Sequence, residues 1–78
     1  DLMLEKYVPM VRQAIQDIAP FYKESKEFQE VLENAEHYVK DAEKFLEQGK
    51  DEVAILSIGY ADGLVDSLRI AKGLEPRM

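Results

Sequence analysis

The feature that most limits how this chain can fold is the spacing around Gly49. Upstream of it Phe28, Val31, Ala35, Tyr38, Ala42 and Phe45 recur at alternating three- and four-residue steps, and downstream Ala54, Ile58, Ala61, Val65 and Leu68 do the same. Apolar positions at that rhythm fall on one stripe of an α-helix. Gly49-Lys50 is what remains between the two patterns. Glycine accepts the left-handed conformation that closes a helix at C′, and Asp51 follows as the expected N-cap of the next helix. A link this short joins antiparallel neighbours, so the two segments are expected to form an αα-hairpin.

The remaining boundaries follow from local chemistry. Ser25 can accept a hydrogen bond from a free amide of the second helix, whose apolar face is widened by Leu32, Val39 and Leu46. The third helix should close at Gly73, with Leu74 folding back toward Leu68 or its neighbours and Pro76 blocking continuation. Before the hairpin, Leu4, Tyr7, Val8, Val11, Ala14, Ile15 and Ile18 mark a first helix. Pro9 lies inside it and should either kink it or lie near its start, and Pro20 ends it, leaving residues 20–24 as a connector. The expected fold is all-α, a single domain over residues 1–78. It is an up-down-up three-helix bundle with helices at about 2–19, 25–48 and 51–72, the first packing across a central tetratricopeptide-like hairpin.

A chain of 78 residues buries only about 60–65% of its unfolded surface, so its stability depends on how well the helices pack. It holds no cysteine, which removes disulfides and thiolate zinc sites as reinforcement. No apolar run reaches the roughly 18–20 residues of a bilayer span, and no signal-like segment opens the chain, so a cytoplasmic protein without membrane contact is expected. Opening on Asp1 rather than Met, the sequence reads as a segment of something longer. The net charge is −6; nucleic-acid binding needs Lys and Arg to neutralise phosphates, so that partner class is disfavoured.

The third helix is the most informative. Beside its first seam runs a second, Val53, Leu56, Tyr60, Gly63 and Ile70, so the apolar arc spans roughly 220° against about 100° for an ordinary surface helix. One helix cannot cover such an arc. Val53, Leu56, Tyr60 and Gly63 are therefore the candidate interaction surface, for a protein partner or for self-association. Gly59 and Gly63, four apart, let helices approach closely; packing within the chain is the plainer reading of them, a subunit or partner interface the sharper one.

Chemistry-bearing residues are sparse. His37 is the single histidine, and Glu33-His37-Asp41 stack at four-residue spacing, but on the side opposite the seam, where a solvated side chain is expected and no metal. Asp41, Tyr60, Asp62, Asp66 and Arg69 form a possible polar cluster. Paired carboxylates can shift each other's pKa or hold a hard cation, whereas the plainer reading pairs Asp66 with Arg69 and bonds Asp41 across the hairpin to Tyr60. No phosphate-cradling loop and no Ser/His/Asp or Cys/His set is present, so no cofactor and no nucleophilic catalysis is expected. Met3, Met10 and Met78 read as gap fillers or terminal residues.

The stretch from Tyr38 through Ala42, Phe45, Gly49, Ala54 and Ile58 to Ala61 resembles one tetratricopeptide-type hairpin, but arrays of that kind need about three repeats and only one is present. A resemblance over most of the chain rests on Tyr38, Asp41-Ala42, Phe45, Gly49, Ala54, Tyr60, Gly63, Asp66 and Gly73. These resemble the pattern of an archaeal family, the domain of unknown function numbered 357. That resemblance implies a three-helix bundle and supplies no activity. The expected function is a small non-enzymatic helical interaction or oligomerisation module; the alternative is a ligand- or metal-binding bundle built on the acidic and tyrosine cluster, open to catalysis.

Overall fold

In a computed structural model describing residues 2–74, the chain forms α1 (Leu2–Ile18), a short 3-10 turn (Ala19–Tyr22), α2 (Lys26–Glu47) and α3 (Asp51–Ala71). No strand occurs among the described residues. Each helix ends within a residue of its expected bounds. Pro76 and Met78 lie outside the described residues, as does the side chain of Met3.

The hairpin closes as the glycine requires. Gly49 has φ +73°, and its N–H bonds the Leu46 carbonyl at 3.0 Å while the Lys50 N–H bonds that of Phe45 at 2.8 Å. This is a Schellman closure. The same pair of bonds ends α3: Gly73 (φ +76°) donates to Ile70 and Leu74 to Arg69, both at 2.9 Å. Leu74 packs against the core as expected. One assignment changes: α3 begins at Asp51, and its N-cap is Lys50, which makes no side-chain capping bond. Lys50 already completes the Schellman turn of α2, so the connection is one residue too short for Asp51 to stand outside the helix. Asp51 and Glu52 instead occupy the first turn, where carboxylates favour the helix dipole.

Ser25 caps α2 as expected, its hydroxyl accepting from the Phe28 amide at 3.3 Å. α1 runs through Pro9 rather than starting at it. The bond lost is the one to the Glu5 carbonyl, and both residues are exposed, so water can satisfy that carbonyl. Met10 is exposed and fills no gap.

The core is formed by Leu4, Val8, Val11, Ala14, Ile15 and Ile18 of α1, Leu32, Ala35, Val39 and Ala42 of α2, and Ala54, Ile58, Ala61, Val65 and Leu68 of α3. Alanines at the helix crossings are fully buried, letting the backbones approach closely. On α2 the balance of the two rows differs from expectation. Leu32 and Val39, read as flanking, are buried, while Val31, Tyr38 and Phe45 are half-buried and Phe28 is exposed. The reason is that α2 is shared. α1 reaches it on one flank, where Arg12 donates to Glu43 at 2.6 and 3.3 Å, and α3 on the other, where Tyr38 meets Tyr60. The flank between them is deepest.

The connector also carries more than a turn. Tyr22 is buried, and its hydroxyl donates to the Leu68 carbonyl at 2.7 Å, tying the link between α1 and α2 to the end of α3. Its ring lies 4.9 Å from that of Phe28 and 4.9 Å from the Lys72 ammonium.

Candidate functional site

α3 turns its first seam inward and leaves the second uncovered. Val53, Ile55, Leu56, Tyr60 and Ile70 keep 42, 54, 72, 55 and 58% of their surface exposed. At about 100° per residue they sweep roughly 160° of the helix away from the core, with Gly59 and Gly63 near the middle of the arc. Only Glu52, Asp66 and Ser67 interrupt it with polar groups, and the Ser67 hydroxyl is turned back onto the Gly63 carbonyl at 2.9 Å. Such a patch is on the order of 500 Å², toward the upper end of the roughly 300–600 Å² found for the largest patch on a monomer.

All four residues expected to form an interaction surface, Val53, Leu56, Tyr60 and Gly63, lie on this open arc. The intramolecular reading of the glycines does not hold. A Cβ added to Gly59 or Gly63 would meet no atom within 4 Å, because both point away from α1 and α2. Small side chains are used inside the molecule as well, but they are the alanines of the core.

Two contributors were not anticipated. Ile55 belongs to neither seam, yet it widens the arc on the side away from α2. Tyr38, assigned to the α2 seam, packs against Tyr60 with ring centroids 4.5 Å apart and the planes tilted by 43°, and so borders the patch. A wide-arc count on α3, taken without forcing residues into heptads, would have found Ile55.

Asp41 and Tyr60 do not join Asp62, Asp66 and Arg69, which share one strip of α3. Asp41 lies 3.6 Å from His37 on the outer surface of α2, among Lys40, Lys44 and Glu47, rather than bonding to Tyr60. Tyr60 faces α2, while Asp62 projects about 160° and Asp66 about 120° away around α3. Asp62, Asp66 and Arg69 are each engaged in a polar or charged interaction. Among the described residues no group of three or more His, Cys, Asp or Glu is arranged to hold a metal ion.

A perturbed pair lies elsewhere, between α1 and α2. The Glu43 carboxyl is held below the usual carboxylate range by its hydrogen bond from Arg12, whose own pKa is raised by the same bond. That pair clamps α1 to α2 and borders a shallow groove lined by Val8, Pro9 and Leu46. No described helix is long and apolar enough to cross a membrane.

Fold and surface together define a small three-helix protein whose hairpin presents an open apolar helix face. The match that places it more closely covers residues 6–74: the chain belongs to DUF357, a protein family of unknown function. No curated protein and no solved structure gives a significant match.

Proposed function

We propose that the chain is a cytoplasmic, non-enzymatic interaction module that receives another helix on the outer face of α3. The observation that carries this reading is Leu56: a leucine with 72% of its surface exposed, set among Val53, Tyr60, Ile55 and Ile70 on one helix face. Single exposed apolar residues are ordinary, but a contiguous set at helical spacing is what a helix-in-groove contact uses. The glycines add a flat strip along which a second helix can come close. A protein partner is favoured over a nucleic acid by the net charge of −6.

Photo-cross-linking in the protein's native cells tests the proposal. A benzophenone amino acid at position 56 should give adducts of defined mass with a polypeptide, while the same group at the exposed α1 position 13 should give none. Equal patterns from the two positions, or no adduct from position 56, would overturn the reading.

A further inference from the structure

We infer that the occupant of the α3 face is a second copy of this chain, the two α3 helices crossing antiparallel at Gly59 and Gly63. This rests on the interaction-face reading and deepens it by naming the partner.

The first support is the symmetry of the face. A two-fold contact requires one surface to match itself. α3 runs from Asp51 to Ala71, so Ala61 is its midpoint. Gly59 and Gly63 lie two residues to either side of it, and Glu52 and Ile70 nine to either side. At 100° per residue Glu52 and Ile70 share one line along the helix, with the glycines about 20° to either side of that line. An antiparallel two-fold therefore brings Gly59 against Gly63 of the second copy and Glu52 opposite its Ile70. Leu56 then lies over Gly63 and Ser67 of the other chain. Those two residues leave room for it: the glycine has no neighbour within 4 Å of an added Cβ, and the serine hydroxyl is already bonded to its own helix.

The second support is the charge at the helix ends. The first turn carries Asp51 and Glu52 and the last turn carries Arg69. An antiparallel crossing lays each acidic turn beside the other copy's basic one and opposes the two helix dipoles. A parallel crossing would gather four carboxylates at one end.

The third support is area. Two faces of on the order of 500 Å² bury at most about 1,000 Å² between them, the lower limit for a biological interface and the size of a weak, reversible contact. Tyr60, packed against Tyr38 of its own chain, comes beside its counterpart near the two-fold and adds aromatic contact where interfaces most often concentrate it.

Sedimentation equilibrium of the purified full chain over a wide concentration range at physiological ionic strength should show a reversible monomer–dimer equilibrium. Leu56→Glu should raise the dissociation constant at least about tenfold with unchanged far-UV circular dichroism. Leu56 is exposed, so this variant is expected to fold. Thiol pairing tests the geometry. Oxidation of an equimolar mixture of Glu52→Cys and Ile70→Cys chains should give mainly the mixed disulfide, because like positions are separated by about 27 Å along the helix axis. A predominance of either homodisulfide, or a dimer indifferent to Leu56→Glu, would overturn the inference. A strictly monomeric protein that still cross-links through position 56 to a different polypeptide would also overturn it, and would leave the interaction face standing.

Discussion

Replacing Tyr22 with phenylalanine removes one oxygen atom and, with it, a cap on α3. The last carbonyls of a helix lack intrahelical donors. Here the Lys72 N–H turns to Arg69, the Gly73 N–H to Ile70 and the Leu74 N–H again to Arg69, so no amide of the closing turn reaches the Leu68 carbonyl. The Tyr22 hydroxyl does, at 2.7 Å in a buried setting. Losing such a bond costs about 0.5–1.5 kcal/mol net, and leaving the buried acceptor unsatisfied about 1–3. About 1–2 kcal/mol is therefore expected, since phenylalanine keeps the ring against Phe28 and beneath Lys72. In a domain of this size each kcal/mol moves Tm by about 4–8 °C, so the variant should melt about 4–16 °C lower. Tyr22→Leu should lose the aromatic contact as well, about 0.5–1.5 kcal/mol more. Thermal unfolding followed at 222 nm, with urea unfolding to check that the slope is unchanged, measures both. If Tyr22→Phe melts with the wild type while Tyr22→Leu falls steeply, the capping argument is wrong and the ring alone stabilises the connector.

Three further outcomes follow from other parts of the molecule. Gly59→Ala and Gly63→Ala should each stabilise the monomer by about 0.5–1 kcal/mol, because both positions are helical and nothing lies near an added Cβ. Denaturation at low protein concentration measures this, and a loss of stability would mean that the glycines serve packing within the chain. For Arg12–Glu43, the folded carboxyl has the lower pKa. Its contribution is therefore complete above the ordinary value of 4.5 and disappears as pH falls through the folded value. The side chains are 35 and 43% exposed, so the pair is worth well under about 1 kcal/mol. Arg12→Met should flatten the acid limb of a urea-midpoint profile, and profiles that stay parallel would refute the assignment. Gly49→Ala places a Cβ at φ +73° and should cost about 1–2 kcal/mol, read from the same urea midpoints.

Local rules carried most of the fold. The hairpin, the Ser25 cap, both glycine closures and the first seam of α3 depend on a few neighbouring residues, so spacing was enough to find them. Tertiary choices were less visible. Whether Phe28 or Leu32 is buried depends on which flank of α2 each neighbouring helix takes, and a seam that serves two partners has no single centre. Tyr22 looked like linker because its partner is a carbonyl 46 residues away, which no local pattern records. Of the candidate surface, the apolar members could be read because an arc wider than one neighbour can cover must leave a remainder. The outward direction of Gly59 could not, since it belongs to neither seam and a glycine on a two-seamed helix fits a crossing on either side.

Lys50 ends α2 and begins α3 at once, and this gives the length of the turn an importance that its exposure hides. Surface turns ordinarily absorb insertions. A residue added just inside the start of α3 would instead rotate everything after it by about 100°, swinging Leu56 and Gly63 toward the core and Ala61 out of it. The shortest addition that returns the helix to within about 20° of its phase is seven residues, and the next is eleven. The spacing from Gly49 to Ala54 is thus a tighter constraint on sequence change than the identity of most residues within it.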